Sequence, residues 1–171
     1  MRVIRKEDLS ELVSFYNGLV EEKQQNPDSE LHTGFDRKLA IYEESEWLNQ
    51  TLAAIEKGEM ICIVAEVNGR IVANCGVTRG KYSDTHHHGS LGLTVSRAYR
   101  SVGIGHMMIE KLITESHQVG IKNLEVEFLS TNLGAKAAYE KAGFRETGRI
   151  TGKVFRNGRY IDASIMSKEL L

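Results

Sequence analysis

Two Asn-Gly dipeptides, Asn68-Gly69 and Asn157-Gly158, constrain this chain more than any other feature. Asparagine and glycine both tolerate positive φ, and a two-residue turn built from them matches the right-handed twist of an antiparallel strand pair. The flanks are rich in β-forming residues: Met60–Val67 and Arg70–Thr78 around the first turn, Phe144–Phe155 and Tyr160–Leu170 around the second. Two hairpins are therefore expected, and the segment between them must suit a sheet. Counting outward from Val67 paired with Arg70 brings Cys62 opposite Cys75, at a non-hydrogen-bonded position where side chains lie close. Two cysteines make no disulfide framework, so the expectation is a pair of reduced core thiols.

The rest of the chain alternates between the two periodicities. Arg2–Arg5 reads as a short strand, and Glu7 and Asp8 open an amphipathic helix with Leu9, Leu12, Val13, Phe15, Tyr16, Leu19 and Val20 at helical spacing. Glu21–Lys38 is polar, holds the only proline (Pro27), and is expected to be a long loop or irregular helix. Ser45 is expected to cap a second helix carrying Trp47, Leu48, Leu52 and Ile55, with Gly58 near its end. Between the hairpins, Gly80–His88 reads as a loop, Ser90–Val95 as a strand and Gly105–Gln118 as a helix. Asn123–Leu129 alternates apolar and acidic residues as a half-buried strand does, and Leu133–Ala142 is a short helix stopped by Gly143. The order β-α-α-β-β-β-α-β-α-β-β implies one α+β domain over residues 1–171, with a mixed central sheet of about seven strands flanked by helices.

Composition excludes several roles. Net charge is −1, so no global basic field invites nucleic acid. No apolar run approaches the ~20 residues that span a bilayer. The start, Met1-Arg2-Val3-Ile4-Arg5-Lys6-Glu7-Asp8, lacks the apolar core of a signal peptide, so a cytoplasmic protein with no membrane partner is expected.

Between the strand-like Leu91–Val95 and the helix lies Arg100-Ser101-Val102-Gly103-Ile104-Gly105. A glycine-rich turn feeding a helix start leaves backbone N–H groups without intrahelical partners, at the positive end of the helix dipole. A phosphate or diphosphate can dock there, with Arg100 as a fixed cation beside it. The turn lacks the third glycine and downstream acid of a dinucleotide fingerprint, and the Lys-Ser/Thr of a P-loop.

A second element follows: Asn132, Ala135, Tyr139, Gly143 and Phe144, spaced as Asn-x-x-Ala-x-x-x-Tyr-x-x-x-Gly-Phe. Together with Arg100-x-x-Gly103-x-Gly105, this resembles the GCN5-related N-acetyltransferase (GNAT) superfamily in order and spacing, over roughly Met60 to Leu170. The ending Gly158-x-Tyr160-x-Asp162-x-x-x-Met166-x-x-x-Leu170 looks like the branch holding ribosomal-protein, spermidine and phosphinothricin-type acetyltransferases. The resemblance implies a GNAT-like fold and acetyl-CoA as co-substrate, with no metal. Its diphosphate would sit on Arg100, Ser101, Val102, Gly103, Ile104 and Gly105, its pantetheine arm along Leu93, Thr94 and Val95 as an added strand. A backbone N–H of that strand would hold the developing oxyanion.

The resemblance also suggests catalytic roles. Tyr139 would face the departing sulfur, or else fill the helix–sheet seam. Asn132 would steer the pantetheine or cap its helix. Glu127, on the preceding strand, would be the general base or a structural strand residue, and Asp162 would contact the acceptor amine or act structurally. His86-His87-His88 cannot all ligate one ion from a strand, because successive residues face opposite sides. The acidic pairs Glu21-Glu22 and Glu43-Glu44 read as solvated faces that could also attract a cationic amine. The expected activity is acetyl transfer to a primary amine, a protein N-terminus or a small molecule, by direct attack in a ternary complex. A catalytically inactive acyl-CoA-binding or sensing module is the alternative. An edge strand such as Tyr160–Leu170 could pair in a homodimer.

Overall fold

A computed structural model describes residues 1–26, 28–31 and 36–170. Pro27 and residues 32–35, within the expected long loop, lie outside the described residues, as does Leu171. Among the described residues seven strands form one sheet: β1 (Arg2–Val3), β2 (Met60–Val67), β3 (Arg70–Arg79), β4 (His88–Val95), β5 (Asn123–Leu129), β6 (Arg145–Arg156) and β7 (Arg159–Glu169). Their spatial order is β1-β2-β3-β4-β5-β7-β6. Only β4 and β5 run parallel; the other pairings are antiparallel. The α+β class with a mixed seven-stranded sheet stands as expected.

Four α-helices among the described residues cover the two faces: α1 (Leu9–Gln25), α2 (Ile41–Glu56), α3 (Ile104–Gln118) and α4 (Leu133–Lys141). Leu12, Phe15 and Leu19 of α1 and Leu48 of α2 pack on Cys62, Val64 and Ile71. On the other face Met108, Ile109 and Leu112 of α3 and Tyr139 of α4 pack on Ile63, Ala73, Cys75 and Val77. Each helix thus buries one stripe against a sheet that is apolar on both sides. No helix among the described residues is long and apolar enough to cross a membrane.

The two cysteines do not face each other. Val67 pairs with Arg70 as the turn demands, but a β-bulge between Ala65 and Glu66 places Val72 as an extra residue in β3. Cys75 therefore lies opposite Ile63 and Cys62 opposite Gly76. Since successive residues alternate faces, Cys62 joins the α1–α2 core and Cys75 the α3 core. Both are buried free thiols, and burial pushes the Cys62 thiol up to about 11.

Helix boundaries differ from expectation where tertiary partners intervene. Helix α1 continues through Glu21–Gln25 because Glu22 pairs with Arg100 and Lys23 with Asp36. Helix α2 starts at Ile41 rather than after Ser45, with the Glu43 carboxylate accepting from the Ala40 N–H at 2.9 Å. The strand expected at an edge, β7, lies between β5 and β6, so the long edge strand is β6. From Ala163 to Ser167 β7 is paired on both sides, so that stretch has no free edge for a second copy.

Glu44 is the one buried carboxylate of α2. It is 2% exposed, and its Oε1 has no hydrogen-bond partner among the described residues. Desolvation alone pushes it up to about 7, against an ordinary 4.5. The folded state thus resists ionising a group that the unfolded chain ionises freely. Its contribution falls as pH rises from 4.5 to about 7 and is flat above. Denaturant unfolding is expected to show lower stability at pH 8 than at pH 5, by up to about 3 kcal/mol from this group. Glu44→Gln should flatten that difference; an unchanged difference would assign it elsewhere.

Candidate active site

Parallel pairing between β4 and β5 ends early. His88, Gly89, Ser90 and Leu91 match Asn123, Leu124, Glu125 and Val126, and no pair follows. Beyond Leu91 the strands splay, so Gly92–Val95 has a partner on its β3 side only. The wedge opens into a cleft of about 440 Å³. Its walls include Gly92–Val95, Val126–Leu129, the turn before α3, and Asn132, Ala135, Ala138 and Tyr139. A parallel sheet with crossover helices places a ligand crevice at such carboxyl ends.

The turn before α3 closes one end of this cleft. Gly103 caps the helix at φ 92°, and Ser101 is also left-handed at φ 61°. That reversal lets the chain leave β4 and enter α3 with its amides outward. Met107 is the first helical N–H to find a backbone acceptor, on the Gly103 carbonyl at 3.1 Å. The preceding amides are the open donors that every helix start leaves. A Cβ on Gly105 would sit 3.5 Å from Leu93 Cδ2, so the turn lies directly against the end of β4.

Arg100 is not the free cation expected. Its Nη1 and Nη2 donate to the two Glu22 oxygens at 2.6 and 2.7 Å, and its Nε donates to the Val95 carbonyl at 2.8 Å. The Glu22 side chain is 9% exposed, so this is a largely desolvated, bidentate pair whose net charge is near zero. Arg100 remains on the cleft wall, but anion attraction there falls to the backbone amides. The pair also ties α1 to the turn, which sequence spacing could not reveal across 78 residues.

Of the other expected cleft residues, Leu93, Thr94, Val95, Ser101, Gly103, Gly105, Asn132, Tyr139 and Glu127 line it; Val102, Ile104 and Asp162 do not. Asn132 caps α4, its Oδ1 accepting from the Ala135 N–H at 2.8 Å. Tyr139 is 4% exposed, between the rings of Phe128 and Phe144, each 5.5 Å away. Its hydroxyl makes no hydrogen bond among the described residues, and burial raises its pKa above the ordinary 10.0. Glu127 pairs with Lys153 at 2.9 Å. Asp162 lies opposite a second bulge, between Ile150 and Val154. There its carboxylate accepts from the Gly152 N–H at 2.9 Å and stands 3.8 Å from Arg149. The structure thus gives Asp162 a contact that shapes β6 instead of a place on the cleft wall. That bulge contains Lys153 and aims it at Glu127 across β7.

Sequence reasoning missed Glu30, Leu31 and His106, which also line the cleft. His106 was adjacent to the recognised turn; Glu30 and Leu31 carried no periodic signal. In the histidine run, His86 Nε2 lies 3.0 Å from Arg79 Nη1 while His88 begins β4. No group of three metal-type side chains forms among the described residues.

Comparison with known proteins agrees with this geometry. The model of the Acetyltransferase (GNAT) family matches residues 18–144. YwnH of Bacillus subtilis (strain 168), provisionally named a phosphinothricin acetyltransferase, is 22% identical over 99% of this chain and 98% of its own length. The crystal structure of a ribosomal-protein-alanine N-acetyltransferase from Brucella melitensis superposes with TM-score 0.83 at 24% identity, covering 99% and 98% of the two chains. YncA from Salmonella typhimurium, solved with its cofactor acetyl-CoA, gives TM-score 0.81 at 21% identity, covering 99% and 92%.

Proposed function

The chain belongs to the GNAT acetyltransferase family, and from that premise we propose that it transfers the acetyl group of acetyl-CoA to a primary amine by direct attack in a ternary complex. The carrying observation is the wedge itself: an unpaired strand edge running into a helix N-terminus with open amides. Bound there, acetyl-CoA supplies an activated acyl carbon. An extended, amide-rich arm fits the free edge of Gly92–Val95 as an additional strand. A diphosphate fits the amides around Gly103, where dipole and donors favour negative charge even with Arg100 neutralised by Glu22.

The chain's own groups then divide the chemistry. A β4 amide on the free edge holds the charge that develops on the carbonyl oxygen. Tyr139 stays protonated through the neutral range because burial raises its pKa, so it donates a hydrogen bond to the sulfur as it leaves without surrendering its proton. Glu127 is a wall carboxylate, paired with Lys153, that is placed to receive the amine's proton. Asn132 keeps α4, and with it Tyr139, in register with the cleft.

Thiol release from acetyl-CoA, followed with a panel of peptide and small-molecule amines and checked by mass for the acetylated amine, is expected to show amine-dependent turnover. Tight acetyl-CoA binding with no product from any amine would instead support a sensing module.

A further inference from the structure

The cleft wall carries a carboxylate that the proposed reaction does not use. Glu30 and Leu31, from the connection between α1 and α2, line it. They are held there from a distant element: Arg156, at the end of β6, donates through Nη1 to the Ser29 carbonyl and through Nη2 to the Leu31 carbonyl at 2.8 Å. One guanidinium thus grips the backbone on both sides of Glu30. Ser29 is 4% exposed, and its Oγ accepts from the Leu31 N–H at 3.3 Å. The Glu30 carboxylate itself makes no hydrogen bond or ion pair among the described residues.

The nearby cations are engaged. Lys153 is 2.9 Å from Glu127, Arg149 is 3.8 Å from both Asp162 and Glu146, and Arg100 is held by Glu22. Arg156 has two carbonyls. A carboxylate, phosphinate or phosphate on the acceptor would meet no unengaged guanidinium or ammonium among these, and would lie in the field of Glu30. A second ammonium would meet an exposed carboxylate that has no partner among the described residues.

We propose that Glu30, positioned by Arg156, makes the acceptor end of this cleft selective for cationic amines over amines that carry an acidic group. The inference rests on the transferase reading above and names its substrate class. Selectivity of this kind combines attraction for one acceptor with like-charge repulsion of the other.

The test compares three acceptors with the same reactive amine: a linear diamine, the monoamine of equal chain length, and the ω-amino acid of equal length. The diamine is expected to exceed the amino acid in kcat/KM by at least about tenfold, with the monoamine between, and the ratio should shrink as salt rises. Glu30→Gln should bring the ratio to within about threefold while the acetyl-CoA KM stays put, and Glu30→Asp should keep most of it. Arg156→Ala should raise the diamine KM with little change in the acetyl-CoA KM. Equal or better use of the amino acid, a ratio unmoved by Glu30→Gln, or turnover of other amines with none of the three would overturn this inference alone. Absence of thiol release with every amine would overturn the transferase reading itself.

Discussion

Tyr139→Phe is expected to lower kcat by roughly a hundredfold, the usual scale for removing a positioned hydrogen-bond donor to developing charge. The variant keeps the ring that packs against Phe128 and Phe144, so its melting temperature and acetyl-CoA KM should change little. Only the hydroxyl, which has no protein partner among the described residues, is lost. Because the phenol is proposed to hydrogen-bond the departing sulfur, the defect should depend on the leaving group. An acetyl thioester of an aryl thiol, whose thiolate needs less help, should show a much smaller loss than acetyl-CoA. An unchanged kcat with acetyl-CoA over the full pH profile would leave Tyr139 as a packing residue. An equal loss with both thioesters would place its effect elsewhere than at the sulfur.

The second large effect is expected at Gly103. Its φ of 92° is a region that β-branched residues all but avoid. Gly103→Val should force the turn to rebuild, misdirecting the amides ahead of Met107, and raise the acetyl-CoA KM by roughly 10- to 100-fold. The control is Gly120→Val at the far end of the same helix, where φ is 83° and an added Cβ meets nothing within 4 Å. That variant carries comparable backbone strain away from the cleft, so it should lose stability while keeping its acetyl-CoA KM. Parallel losses of affinity in both variants would show that strain in α3, and not amide placement, sets the effect.

Legibility in the sequence tracked how local each determinant is. The strand Asn123–Leu129 appears with the expected bounds because alternation over seven residues reports its own burial. Both Asn-Gly turns form for a similar reason: Asn68, Gly69, Asn157 and Gly158 all take positive φ. The turn before α3 was readable because glycine at φ 92° and an uncapped helix start are both written in adjacent residues. The Cys62–Cys75 register failed at one residue. The Val72 bulge shifts every later pair by one residue, and nothing in the hairpin's own pattern announces it.

The chain alone therefore determined its elements, their order, and the amide-lined turn that suits a diphosphate, since each depends on φ preferences and periodicity within a few residues. The tertiary structure decided what those elements do to one another. It neutralised Arg100 with Glu22, turned Asp162 toward Gly152, buried β7 between two strands, and brought Glu30 to the cleft through Arg156. Glu30 and Arg156 are brought together by contacts 127 and 125 residues apart in the chain. Such pairings depend on where whole strands and helices come to rest, and no local preference encodes that.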